Sequence, residues 1–194
     1  MPFVALTGGI GAGKSTALEA LEHLGAAVLC TDAVVHDLYA GDAVRGAVMD
    51  RWGPEVAPDG VVDRAAVAAR AFATPEDRGW LEQLLWPLVG ARMASWREDA
   101  VAIQPPPAAL VVEIPLLFES GMEAAFDATI AVVVDDEVRR QRAGARGHAA
   151  LDERTARQLT QAEKAQRATH VVVNDGSVED LERKLSDVLD KLRS

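Results

Sequence analysis

The sequence predicts an α/β fold: an open five-stranded parallel sheet with helices on both faces. Three observations predict it. The opening through Cys30 reads strand, glycine loop, helix, strand. Two later apolar runs, AALVVE and ATIAVVV, lack the alternation of a half-exposed strand and suit strands buried on both faces, and HVVVND reads as a fifth strand. Helical periodicity fills the intervals, and strands alternating with helices make a parallel sheet, which binds ligands at the carboxyl ends of its strands.

In chain order, residues 3–7 are a short apolar strand, and residues 14–24 place Ala17, Leu18, Leu21 and Leu24 at helical spacing. Gly25 ends that helix, residues 26–30 read as a second strand, and Asp32 falls just past its carboxyl end. Residues 33–102 are alanine-rich and mostly helical in period, with breaks expected at WGPEVAPDG and TPEDRGW. QPPP at 104–107 is a stiff connector that a helix does not cross. The sheet resumes with AALVVE and ATIAVVV. An arginine-bearing helix over 137–146, the break GARGHAALD, a helix over 153–168, the strand HVVVND and an amphipathic helix over 178–192 complete the chain. The expected organisation is a nucleotide-binding core of residues 1–32 and 108–194, with a lid at about 140–155, and a helical insertion of residues 33–107.

With 194 residues and 49% apolar content the chain can bury a real core. Its net charge of −10 and pI of about 4.8 exclude a sequence-independent nucleic-acid binder, which needs a basic surface to displace counterions. An anionic substrate then requires a locally basic pocket. Cys30 is the single cysteine, so no internal disulfide forms, and the start lacks the charged and apolar regions of a secretory signal. The expected setting is a reducing cytoplasm, with no membrane span and a monomer or weak homo-oligomer.

Gly8, Gly9, Gly11 and Gly13 crowd into ALTGGIGAGKST, where bare backbone forfeits packing and has the largest entropy to lose. The stretch fits G-x-x-x-x-G-K-[ST] between a first strand and a first helix. Curled glycine backbone turns its N–H groups inward, and the helix end adds about half an elementary charge. The expected phosphate-binding set is Gly8, Gly9, Gly11, Ala12, Gly13, Lys14, Ser15 and Thr16, with Lys14 on the outer phosphates of ATP and Ser15 a ligand of Mg²⁺. A dinucleotide fold fails on spacing, because no G-x-G-x-x-G can be drawn through these glycines. The N-K-x-D reader of guanine switches is absent as well.

Beyond the loop, Asp32 reads either as the base that takes an acceptor hydroxyl's proton or as the N-cap of a helix starting at Ala33. Arg139, Arg142 and Arg146 share one helix face, which is either a solvated stripe or a phosphate-covering lid. Glu113 ends its strand either as a satisfied buried carboxylate or as a water-mediated holder of Mg²⁺. IPLLFES, with Pro115, Leu116 and Leu117, is plain core or one wall of a pocket for an elongated, partly apolar acceptor. Two other readings share the loop: another small-molecule or nucleoside monophosphate kinase, and an ATP-binding switch that transfers only to water.

Taken in order, these residues resemble the dephospho-CoA kinase family over nearly the whole chain. Leu6 to Thr16 reproduces its L-T-G-G-I-G-x-G-K-S-T. Cys30-Thr31-Asp32 stands at its D-A-D, keeping only the second acid; 60–64 matches G-x-x-D-R, and 115–119 matches P-L-L-F-E. Glu113 replaces a more usual aspartate, and Trp86-Pro87 stands at a family H-P. The family's lid arginines fall on Arg142 and Arg146, and the segment near adenine on 158–176, including Asn174. The resemblance implies a P-loop kinase fold with a helical domain for the coenzyme A precursor. It also implies ATP-dependent transfer to the ribose 3′-hydroxyl of dephospho-CoA. Asp32, Lys14 and Arg142 would be catalytic, and His36 and Arg64 would lie near the acceptor.

Overall fold

The computed structural model describes residues 1–135, 138 and 158–193. β1 (Phe3–Gly8), β2 (Ala27–Cys30), β3 (Leu110–Glu113), β4 (Ala128–Val133) and β5 (His170–Val173) form one sheet in the order β2-β3-β1-β4-β5. Every pairing is parallel. The chain divides into two units, one of Met1–Cys30 with Asp99–Ser194 and one of Thr31–Glu98. No helix among the described residues is long and apolar enough to cross a membrane.

In the first unit β1 is the central strand, buried throughout, which is why its residues are apolar at successive positions. Val4 and Leu6 face α1 (Lys14–His23) and α7 (Val178–Arg193), whose Leu21, Leu181, Leu185 and Leu189 fill the same core. Each such side chain contributes roughly 1.5–3 kcal/mol by leaving water. On the opposite face Phe3 stacks on Phe126 at 4.5 Å, and Thr7 points toward the side covered by α6 (Gln161–Arg167). Leu24 and Gly25 close α1 through backbone N–H bonds to Ala20 and Glu22.

The second unit is helical: α2 (Thr31–Ala40), α3 (Asp42–Trp52), α4 (Arg64–Ala71) and α5 from Pro75, the last running to Val101. Tyr39, Val44, Val48, Val56, Val67 and Leu85 make its core, and Trp52 meets Trp80 edge-on at 5.0 Å. Asp63 caps α4 by accepting from the N–H groups of Ala65 and Ala66.

Three expectations need correction. The break expected at TPEDRGW is confined to its start, since α4 ends at Ala71 and α5 begins at Pro75: Thr74 Oγ1 accepts from the Asp77 N–H at 3.0 Å, and Pro75 stands in the first turn, where its missing donor removes no helical bond. The helix expected over 153–168 does not run through Thr160, whose extended backbone starts α6. Its hydroxyl accepts from Glu163 N–H while the Glu163 carboxylate accepts from Thr160 N–H, a reciprocal cap. Asp32 is not an N-cap, because α2 begins at Thr31 directly after β2 and puts Asp32 inside the first helical turn. Apart from Val138, the helix expected over 137–146 and the lid at about 140–155 lie outside the described residues.

Candidate active site

At the carboxyl end of β1 the chain passes Gly8, where a Cβ would come within 2.5 Å of the Val132 carbonyl oxygen. Only a residue without a side chain fits beside β4 there. The loop then curls through Gly11 (φ 79°) and Gly13 (φ 89°), left-handed conformations that favour glycine, with Ala12 N–H donating to Gly9 O at 3.2 Å. Gly13 is the N-cap of α1 and supplies no side-chain oxygen to the first-turn amides, and that turn carries no acid. In a chain with 30 acidic residues, this leaves a helix N-terminus suited to an anionic ligand. Lys14 Nζ donates to Gly9 O at 3.3 Å, holding its ammonium over the loop, while Ser15 is exposed and Thr16 half-buried.

Asn174, just past β5 and 7% exposed, donates from Nδ2 to the Ala12 carbonyl at 2.9 Å. Its own N–H bonds Val133 O at 2.8 Å, so the ends of β4 and β5 support the loop together. Glu113 is 6% exposed at the end of β3, in register with Leu6 on one side and Cys30 on the other.

The 114–120 turn follows β3. Ile114, Leu117 and Phe118 are buried and Leu116 is 44% exposed. Leu117 is therefore core and offers no wall to a ligand; of the two leucines only Leu116 presents apolar surface. The Pro115 carbonyl accepts from Thr7 Oγ1 at 3.4 Å and from Lys164 Nζ at 2.6 Å. Lys164 is fully buried and pairs with Glu119 at 2.9 Å, and Glu119 Oε1 also accepts from Leu159 N–H at 2.8 Å. Burial pushes the Lys164 ammonium below its ordinary range, with the Glu119 carboxylate opposing the shift. Gln161, one turn earlier on α6, bonds both backbone groups of Val134. Sequence reasoning missed Lys164 and Gln161, since QAEKAQR reads as a polar surface helix and nothing local marks an inward lysine.

In the helical unit Asp32 and His36 stand one turn apart on α2, both exposed. Arg64 Nη1 lies 3.4 Å from His36 Nδ1, so α4 brings the predicted Arg64 beside the predicted His36. The buried Tyr39 hydroxyl is pushed up by burial, with the Arg64 charge acting against it. Arg142 and Arg146 lie outside the described residues. No group of three or more His, Cys, Asp or Glu that could hold a metal ion is present among the described residues.

The family model described as dephospho-CoA kinase matches residues 2–180 of this chain. A dephospho-CoA kinase of Bradyrhizobium diazoefficiens is 36% identical over 192 residues, spanning 97% of this chain and 94% of that protein. Another, of Chromobacterium violaceum, is 40% identical over 188 residues, spanning 93% and 89%. Among solved structures, TT1252 from Thermus thermophilus superposes with a TM-score of 0.79 at 36% identity, covering 98% of both chains. The dephospho-CoA kinase from Campylobacter jejuni, at 22% identity and a TM-score of 0.69 over 97% and 96% of the two chains, shares the fold.

Proposed function

This chain belongs to the dephospho-CoA kinase family, and from that premise we propose how its residues transfer the terminal phosphoryl group of ATP to the ribose 3′-hydroxyl of dephospho-CoA. The observation that carries the reading is the glycine loop at the end of the central strand. Its left-handed Gly11 and Gly13, its helix start free of acidic residues and the Asn174 buttress make a preformed cradle for a polyphosphate.

Within that cradle the loop amides bind the phosphates and Lys14 neutralises charge on the outer ones. The acceptor oxygen attacks in line, the new O–P bond forms as the terminal phosphoanhydride bond breaks, and ADP leaves. Asp32 takes the proton from the attacking hydroxyl; its place in the chain, two residues past the carboxyl end of β2, supports this role. Arg142 and Arg146 cover the transferring group and exclude water. His36 and Arg64, adjacent in the helical unit, contact the acceptor, for which residues 33–107 supply the binding domain, while Pro115 and Leu116 contribute from the core.

The donor set fits a Mg²⁺ held mainly by phosphate and water, the usual habit of that ion: an exposed Ser15 hydroxyl beside the cradle and a buried carboxylate, Glu113. Bound there, Mg²⁺ would supply charge neutralisation on the phosphates. The reading also places the enzyme in a reducing cytoplasm, consistent with its single Cys30.

An ADP-release assay with dephospho-CoA as acceptor tests the reading. Acceptor-dependent ADP formation, with the product phosphorylated at the 3′-hydroxyl, is expected. Turnover confined to a nucleoside monophosphate or a sugar, or hydrolysis indifferent to every hydroxyl acceptor, overturns it.

A further inference from the structure

The 114–120 turn is fixed more firmly than its place between two strands requires. Ile114 N–H continues the ladder to Leu6 O at 2.9 Å. Pro115 O is held by Thr7 and by the Lys164 ammonium, and Leu116 O accepts from Ser120 twice, through N–H at 3.0 Å and Oγ at 2.8 Å. Between these two anchored carbonyls the Leu116 side chain faces solvent at 44% exposure.

Holding this turn with a fully buried lysine is an expensive way to stabilise a fold, because desolvating the ammonium and carboxylate offsets much of their attraction. Neutral side chains of similar volume would serve stability as well. What the ion pair adds is direction: its donors and acceptors fit one arrangement of the turn and penalise others.

We propose that Lys164 is a positioning residue for the transfer reaction, pinning the Pro115 carbonyl and Glu119 so that Leu116 is presented to the apolar portion of the acceptor. The inference rests on the reading of this chain as a dephospho-CoA kinase and deepens it, since it assigns acceptor affinity to a side chain that never touches the acceptor. Lys164 acts through Pro115 and Glu119, while Asn174 supports the nucleotide cradle through a separate hydrogen bond to Ala12.

The test is steady-state kinetics of the full-length Lys164→Met/Glu119→Gln variant against the unmodified protein, with its thermal midpoint measured alongside. The pair of substitutions removes both charges while the side-chain amide oxygen at position 119 still accepts from Leu159 N–H, so neither partner is left as a buried unpaired ion. Expected are a rise in the KM for dephospho-CoA of about tenfold or more and an ATP KM within about threefold of the original. An unchanged acceptor KM, an equal rise in both KM values, or a double variant that does not fold overturns the proposal by making the pair merely structural. No turnover of dephospho-CoA by the unmodified protein defeats the functional reading itself, whatever the variant does.

Discussion

The Asn174 side-chain amide donates to the Ala12 carbonyl at 2.9 Å, joining the end of the last strand to the phosphate loop across 162 residues of sequence. Asn174 therefore supports the loop through the Ala12 carbonyl. Replacing it with alanine leaves a carbonyl in a dry setting without this donor, a loss of about 1–3 kcal/mol. Asn174→Ala is expected to raise the Kd for ATP by about tenfold, with little change in affinity for dephospho-CoA, as read by titration calorimetry with each ligand. Equal weakening of both ligands would assign Asn174 to general stability.

In the helical unit Asp77 gathers Arg51 Nη2 at 2.9 Å, Trp52 Nε1 at 3.3 Å and the Thr74 hydroxyl at 2.9 Å. The hydrogen bond from Arg51, and after it that from Thr74, hold its carboxyl below the usual carboxylate range. A depressed carboxylate contributes stability that is fully present above its unfolded pKa of about 3.9 and is lost as pH falls through the lower folded value. Asp77→Asn keeps the shape and removes the charge. Its thermal midpoint is expected to lie below the original at neutral pH, and the gap to close as the pH falls below about 4. A gap that stays constant from about pH 7 to about pH 3 would show that the ionised form is not what holds Arg51 and Trp52.

Lys14 and Arg142 are expected to fail differently. Lys14 lies on the loop in the ground state, so Lys14→Ala should weaken ATP binding and turnover together. Arg142, if it meets the phosphoryl group as charge develops, should lose about 10³ in kcat on replacement by alanine while the acceptor KM moves far less. Parallel kinetics and ATP titrations separate the two patterns. A change confined to KM in Arg142→Ala would return that arginine to the solvated stripe.

How far the sequence carried depended on whether the deciding force was local. The glycine loop was legible because its chemistry, bare backbone followed by lysine and hydroxyls, is written in consecutive residues, and β1, β3 and β4 were legible because burial on both faces leaves an unbroken apolar run, whereas β5 kept its apolar run although Val171 and Val173 are exposed. The extent of the break before α5 was not legible because proline signals a break and a first helical turn equally well; Thr74 bonding Asp77 N–H starts the helix at once. Leu116 and Leu117 are identical letters side by side, and one is 44% exposed and the other fully buried because of where the 114–120 turn lies on the sheet. Lys164 was invisible for the same reason: Glu119 and the Pro115 carbonyl, the latter 49 residues away, lie far back along the chain, and its helix looks polar without them.

Asp32 carries the sharpest consequence. It stands in the first turn of α2, exposed, where a negative charge also favours the positive helix end by about 0.3–1 kcal/mol. Asp32→Asn separates the two roles, since the amide keeps the size and loses both the charge and the capacity to accept a proton. If the carboxylate receives the proton of the 3′-hydroxyl, kcat should fall by about 10² to 10⁴ while ATP binding is retained. The thermal midpoint should hardly move, because an exposed first-turn acid contributes so little. If Asp32 serves only the helix, the variant keeps its turnover and shows a small loss of stability, and the base must be sought on another residue. Single-turnover rates with ATP and dephospho-CoA, measured beside a melting curve on the same preparation, distinguish these outcomes.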